Sequence, residues 1–70
     1  MVEKIVELTG TSSSSIEDAV ETAISRASVT ISGIRQATVT SATALVESGK
    51  VRGWKVAVRV TFEIKDQVHE

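Results

Sequence analysis

The feature that most constrains the fold is a strict alternation near the C-terminal end, "WKVAVRVTFEI", residues 54–64. Large apolar side chains occupy every second position, with polar or small residues between them. A period of two predicts a β-strand with one face buried against another layer. Residues 34–47 also favour a strand, and the two segments flank "ESGK". We therefore predict a hairpin of two long strands, residues 34–47 and 51–65, with Ser48 and Gly49 as its turn.

The hairpin register follows from a two-residue turn. It pairs Val39 with Val58 and Thr43 with Trp54, and it places Ala37, Val39 and Leu45 on the apolar face. The opposite face is then predicted to carry Gln36, Thr38, Thr40, Ala42, Ala44, Gly53, Lys55, Ala57, Arg59 and Thr61. Its small residues predict close approach by another subunit, and a threonine-rich solvent face is the alternative.

The first 33 residues predict one strand and one helix. Residues 2–9 alternate loosely and read as a short strand that Gly10 ends. The run "TSSSS" then predicts a turn and a helix cap at Ser14 or Ser15. One amphipathic helix is expected to extend to Ser32, with Gly33 as its stop. Its apolar stripe consists of Ile16, Ala19, Val20, Ala23, Ile24 and Ala27.

These elements predict an α+β fold, a βαββ subunit in which a three-stranded antiparallel sheet curls over one amphipathic helix. We expect a single domain over residues 1–70. A chain this short buries only about 60% of the surface that its unfolded form exposes. Such scaffolds need a disulfide, a metal or a partner, and the chain has no cysteine. Its one histidine, His69, does not favour a zinc site. Association with other copies of the chain is therefore expected.

Several function classes are disfavoured by composition. A net charge of −1 and only two aromatic residues do not suit a nucleic-acid surface. No apolar run approaches the ~20 residues of a membrane span, and no signal peptide is expected. Residues Ser12–Ser15 have no nearby histidine to activate a hydroxyl. We expect a cytoplasmic, non-enzymatic protein.

Three segments together resemble the dodecin family. "KIVELTGTS" (residues 4–12) is similar to its first strand and turn, and "SIEDAVETAISRAS" (15–28) to its helix. "GKVRGWKVAVRVTFEI" (49–64) is similar to its last strand, with the repeated V-x-V-x-F pattern. The resemblance implies a hollow homododecamer of cubic 23 symmetry that stores flavin (riboflavin or FMN) and is not an enzyme. Some members bind coenzyme A, and a calcium-binding subgroup exists.

The resemblance also indicates where the flavin site would lie. In the family, an Arg-Trp-Phe run opens the second strand, and its Trp stacks on the isoalloxazine ring. The corresponding residues are Arg35, Gln36 and Ala37. A Gln after an aromatic residue in the last strand bonds the flavin's pyrimidine edge, and here that pair is Trp54 and Lys55. With Gln36 and Lys55 in place of Trp and Gln, we expect the usual flavin binding to be lost or weakened.

Other interpretations of the polar residues remain open. Gln36 and Lys55 would suit a small anionic ligand, or an intersubunit hydrogen bond or salt bridge. Arg59 and Glu63 are expected to form intersubunit pairs, and Trp54 to anchor the core. Carboxylates available to calcium are Glu3, Glu7, Glu17, Asp18 and Glu21. Helix-end electrostatics is the alternative reason for the last three.

Overall fold

The computed structural model describes residues 2–64 and confirms the βαββ order. Its elements are β1 (Val2–Ser12), α1 (Ile16–Ala27), β2 (Ile34–Glu47) and β3 (Lys50–Ile64). The strands form an antiparallel sheet in the order β1-β3-β2, so the last strand is central. Lys65, the predicted end of β3, and His69 lie outside the described residues. No helix within residues 2–64 is long and apolar enough to cross a membrane.

The first strand continues through Gly10 to Ser12, so the predicted end at Gly10 is wrong. Gly10 is buried and pairs with Val56 of β3. A Cβ atom there would overlap the Ala19 carbonyl oxygen and lie 3.0 Å from the Ala23 Cβ. This glycine therefore lets α1 approach the sheet closely, rather than breaking the strand.

The serine run forms the predicted cap, with Ser15 as the N-cap residue. The Ser15 hydroxyl accepts a hydrogen bond of 2.9 Å from the Asp18 amide. Ser12 extends this arrangement, because its hydroxyl donates to the Asp18 carboxylate at 2.7 Å and accepts from the Ser14 amide at 2.9 Å. Together these bonds satisfy backbone donors at the turn and the helix start.

The helix ends at Ala27 and not at Ser32. The Ala27 carbonyl accepts from the amides of Thr30 and Ile31, which close the last turn and take the chain out of the helix. Gly33 has a φ of 77°, but it lies at the entrance to β2 rather than at the helix end. Its carbonyl accepts a 3.0 Å bond from the Glu63 amide, so it joins β2 to the end of β3.

The predicted hairpin register is right from Gln36 to Val39 and again beside the turn, but it is wrong between these two parts and at Ile34, which pairs with Phe62. Val39 does pair with Val58, but Thr40 is then extra and Ser41 pairs with Ala57. The Thr40 hydroxyl donates to the Ala57 carbonyl at 3.1 Å, which supports this bulge. Beyond it, Thr43 pairs with Lys55 instead of Trp54. A bulge of one residue reverses which faces of the sheet the following side chains occupy.

The reversal moves Ala42 and Ala44 onto the face that carries α1, here called the helix side. It moves Leu45 to the opposite, helix-free face, where its Cδ1 lies 3.6 Å from the position of a Cβ on Gly53. A second irregularity near Arg52 restores the predicted pairing of Val46 with Val51. Ser48 and Gly49 both have positive φ, as a two-residue hairpin turn requires.

The buried core is small and consists of valine and alanine. Its members are Ala19, Ala23, Ala27, Val56, Val58 and Val60. The subunit is elongated, with extents of 61 × 19 × 12 Å and a Cα radius of gyration of 15.0 Å. A compact domain of this length has a radius of gyration of about 11 Å. The extra length is the end of the hairpin, residues 44–54, which projects beyond Ser12, the last residue of β1. We call it the ribbon.

Candidate functional site

The residues predicted to mark a ligand site lie on the helix-free face. Gln36 pairs with Thr61, and Lys55 lies between Thr11 and Thr43. Because side chains alternate between faces, Thr61 and Lys55 point away from the buried Val56, Val58 and Val60. Both Gln36 and Lys55 are exposed. The shared face that the sequence predicted is therefore present.

Within one chain, however, the structure does not bring Gln36 and Lys55 together. Gln36 lies opposite Thr61, which is six residues from Lys55 along β3. At about 3.3 Å per residue, the two side chains are separated by about 20 Å. A ligand that touched an amide and an ammonium of this kind would need them from two different subunits.

Arg35 is occupied by an ion pair at the start of β2. Its guanidinium lies 3.6 Å from the Glu63 carboxylate. Glu3 lies directly opposite Glu63 on the other neighbouring strand. Like charges opposite each other destabilise a sheet, so Arg35 offsets the repulsion between these carboxylates. Sequence reasoning missed this pair because it needs the register of β3 with both of its neighbours.

The expectation that Arg59 and Glu63 pair between subunits is not supported. Arg59 lies directly opposite Glu7, and its guanidinium is 3.3 Å from that carboxylate. Glu63 is paired with Arg35. Both charges therefore have partners inside the same chain, because β1 and β2 flank β3. The spacing of Glu3 and Glu7, four residues apart and so on one face of β1, was the signal that could have indicated the Glu7 pair.

Short polar side chains dominate the rest of the helix-free face. They are Thr9, Thr11, Thr38, Ser41, Thr43 and Thr61. Among the described residues, this face has no aromatic ring, since Trp54 and Phe62 belong to the alternate positions of β3. It offers hydroxyls, the Gln36 amide and the Lys55 ammonium as hydrogen-bonding groups. It also carries the Arg59 guanidinium and the carboxylates of Glu3, Glu7 and Glu63.

The expectation that Trp54 anchors the core is wrong for the single chain. Trp54 lies on the helix side, as predicted, but it is only half-buried and does not belong to the core cluster. Its neighbours across the sheet are Ser12 and Ala44. The helix begins at Ile16 and covers the sheet further along, over Val56, Val58 and Val60. Trp54 is thus left at the base of the ribbon.

The acidic residues considered for calcium are dispersed. Glu3 and Glu7 lie on β1, whereas Glu17, Asp18 and Glu21 lie on α1. Asp18 accepts the hydrogen bond from Ser12 described above. Over residues 2–64, no three Asp, Glu, His or Cys side chains are grouped closely enough to hold a metal ion. A cation site built from these carboxylates would need more than one subunit.

Two grooves lie beside the helix. One, of about 560 Å³, runs between α1 and β1 and is lined by Thr9, Thr22 and Arg26 among others. The second, of about 460 Å³, lies between α1 and β2. It is lined by Ile16, Glu17, Val20, Glu21 and Val39. Neither contains Arg35, Gln36 or Lys55.

Comparison with known proteins gives one consistent result. A family model described as Dodecin matches residues 2–65. The fold is also similar to solved structures of dodecins. A dodecin from Streptomyces coelicolor is 29% identical with a TM-score of 0.87, over 94% of each chain. An Arg-to-Ala variant of the Thermus thermophilus dodecin is 29% identical with a TM-score of 0.88, over 94% of this chain and 97% of that one.

A dodecin from Streptomyces davaonensis is more distant in sequence and shows the same fold. It is 23% identical with a TM-score of 0.87, over 93% of this chain and 96% of that one. No functionally curated protein sequence matches the chain significantly.

Proposed function

Because the chain belongs to the dodecin family, we propose that it is a non-enzymatic subunit of a hollow homododecameric shell that binds and stores a small ligand. The observation that carries the proposal is the imbalance between a small core and a long sheet. Within residues 2–64 the buried apolar side chains are three valines and three alanines, whereas Ile5 of β1 and Val46 and Val51 of the ribbon are more than half exposed. A subunit of this shape gains stability by burying that surface against other copies.

We propose that this shell has lost, or has weakened, the usual mode of flavin binding. Gln36 occupies the position of the stacking tryptophan, and Lys55 the position of the glutamine. Stacking on a planar heterocycle contributes ~1–3 kcal/mol per ring. Lysine has donors only, so Lys55 does not reproduce the donor and acceptor pair of an amide. Ala37, at the position of the family's phenylalanine, packs against the core instead.

The residues that replace the flavin contacts favour a small anion. Lys55 supplies a positive charge, and Gln36 and the threonines of the helix-free face supply hydrogen-bond donors. A phosphate or a carboxylate matches these groups. Because Gln36 and Lys55 are far apart in one chain, such a site would form where subunits meet. An intersubunit hydrogen bond or salt bridge with no ligand is the alternative role for both residues.

Two measurements test this proposal. Native mass spectrometry is expected to detect a dodecamer, and a stable monomer would contradict the shell. Titration of riboflavin and FMN, followed by flavin fluorescence quenching, is expected to show binding weaker than micromolar. Replacing Gln36→Trp and Lys55→Gln together is expected to increase the affinity for flavin by at least tenfold, which is about 1.4 kcal/mol.

A matched control shows whether the position of the tryptophan matters. Thr38→Trp with Lys55→Gln adds the same ring to the same face, one alternate position further along β2. It is expected to leave flavin binding weak. Micromolar or tighter binding by the unaltered protein would instead support a riboflavin or FMN storage dodecin. Calcium binding by the dodecamer in a calorimetric titration would support the calcium alternative.

A further inference from the structure

The sheet has two edges, and they differ in regularity. One edge is β2, whose pairing with β3 shifts register next to Gln36, at Thr40 and near Arg52. The other edge is β1, which pairs with β3 without a shift from Val2 to Ser12. Bulges protect an edge strand from pairing with another chain, whereas a long regular edge presents its free backbone groups as a template.

Charge protects only the first half of β1. Glu3, Lys4 and Glu7 lie there, and charged side chains on an edge oppose the addition of a further strand. Residues 8–12, "LTGTS", carry no charge. Within the described chain, no strand pairs with the outer edge of this segment. Residues 8–12 therefore form a regular and uncharged stretch of edge beside which a further strand has room.

The groove of about 560 Å³ between α1 and β1 opens beside the same stretch. Residues 8–11 of β1 line one side of it, and the helix lines the other with Thr22, Ala23, Arg26 and Ala27. The two alanines are short, so the helix leaves space next to them. Because side chains of a strand alternate between faces, every second residue of an added strand would enter this groove.

Arg26 is the one charged residue among those that line the groove. It is exposed, and none of the ion pairs within residues 2–64 includes it. Leu8, Ala23 and Ala27 make much of the remaining lining apolar. Arg26 lies three residues after Ala23, about 4.5 Å along the helix axis, and same-face residues of a strand are about 6.6 Å apart. An apolar and an acidic residue separated by one residue therefore match the groove.

We propose that residues 8–12 of β1 accept an extended acidic segment of another protein as an additional strand. The backbone of this segment pairs with the outer edge of β1, an apolar side chain packs against Leu8 and Ala23, and a carboxylate binds Arg26. In this mode of recognition the main-chain hydrogen bonds give affinity and the alternate side chains give specificity. The charge-assisted bond to Arg26 selects acidic over neutral partners. The surface does not depend on which small ligand the protein stores.

A synthetic peptide tests the interaction with the intact protein. The palindromic sequence Thr-Glu-Thr-Val-Thr-Glu-Thr presents the same side chains in a parallel or an antiparallel strand. With a neutral fluorophore on the peptide, fluorescence anisotropy is expected to show saturable binding. One control peptide is fully N-methylated, and another has glutamine in place of both glutamates; each is expected to bind at least tenfold more weakly. Equal binding of the N-methylated peptide, or no saturable binding at all, would overturn the proposal.

Matched variants of the chain test the role of Arg26. Arg26→Gln is expected to weaken peptide binding at least tenfold. Arg52→Gln removes the same charge outside the groove and is expected to change binding less than twofold, and Arg26→Lys should keep most of the affinity. Because Arg26 also lies in the last turn of α1, where positive charge is favourable, circular dichroism checks that each variant keeps its helix. Equal weakening by Arg26→Gln and Arg52→Gln would contradict carboxylate binding at Arg26.

Hydrogen exchange locates the peptide and separates this proposal from the proposed shell. The peptide is expected to slow exchange of those amides of residues 8–12 that do not bond to β3, and to leave residues 36–43 unchanged. Protection of residues 36–43 instead would place the peptide on the wrong edge. If a dodecamer protected residues 8–12 without the peptide and did not bind it, another copy would cover this edge, and only the present proposal would fail. Peptide binding by a stable monomer would support it and contradict the shell.

Discussion

The two halves of the hairpin differ in what covers them. Around Val56, Val58 and Val60 the sheet lies under α1, and these side chains are 0–1% exposed. On the ribbon, the same two strands continue without a helix, and Val46 and Val51 remain 62% and 53% exposed. Exposed and buried valines occur on the same two strands and on the same side of the sheet. The valines are buried where α1 packs on the sheet and exposed where it does not reach.

This contrast divides the contributions to stability. The helix-covered half has its own core and should govern unfolding of a subunit. The ribbon has no core within the described chain and should govern association. Substitutions of equal size in the two halves are therefore expected to affect different measurements.

The largest effect is expected from valine truncation in the covered half. Val58→Ala removes two buried carbon atoms and leaves a cavity, so we expect a loss of about 2–3 kcal/mol in the free energy of unfolding. Val46→Ala is the control, and it should change subunit unfolding by less than about 0.5 kcal/mol. Urea denaturation at several subunit concentrations separates the two effects, since only a change in association makes the shift of the midpoint depend on concentration. Equal losses in the free energy of unfolding for Val58→Ala and Val46→Ala would contradict the proposed difference between the helix-covered half and the ribbon.

An intermediate effect is expected where the helix contacts the sheet. Gly10→Ala adds a Cβ that meets the backbone of Ala19, and overpacking of this kind costs about 1–3 kcal/mol. Gly53→Ala, at the base of the ribbon, meets the Ser12 carbonyl oxygen at 3.1 Å and needs only a small shift. Thermal unfolding should show the larger loss for Gly10→Ala. The reverse order would mean that the helix does not depend on this close approach.

The smallest effect is expected at the junction that precedes the helix. Ser15→Ala removes the hydroxyl that caps the Asp18 amide and should destabilise the subunit by about 1 kcal/mol. Ser13 is exposed in the same run, so Ser13→Ala serves as the control and should be nearly neutral. Circular dichroism during urea unfolding measures both. If both serines were neutral, the helix would be held by packing alone.

Local pattern was sufficient for most of the fold. The alternation in β3, the turn at Ser48 and Gly49, and the cap at Ser15 each depend on neighbours close in sequence. They were predictable for that reason. The full length of β1 was not predictable, because a glycine ends a strand in some proteins, whereas in others it continues the strand and lets a helix pack closely against it. Only the position of Ala19 above Gly10 distinguishes the two.

The candidate site was predictable as a face but not as an arrangement. Alternation places Gln36 and Lys55 on one side of the sheet, which the structure confirms. The distance between them depends on the pairing of β2 with β3, which places Gln36 opposite Thr61, six residues from Lys55. The ion pairs of Arg35 with Glu63 and of Arg59 with Glu7 depend on the pairing of strands that are distant in sequence. The anionic-ligand site therefore stays a prediction about the assembled shell.

By itself, the sequence determined the order of elements, the apolar face of β3, the helix cap and the resemblance to dodecins. These follow from periodicity and from short-range hydrogen bonds. Only the tertiary structure decided which face Ala42, Ala44 and Leu45 occupy. The reason is the bulge at Thr40, which adds a residue to one strand and bonds to the Ala57 carbonyl of the other. A one-residue bulge leaves the hydrophobic pattern of the sequence nearly unchanged. It nevertheless moves each following side chain to the other face of the sheet, as far as the second irregularity near Arg52.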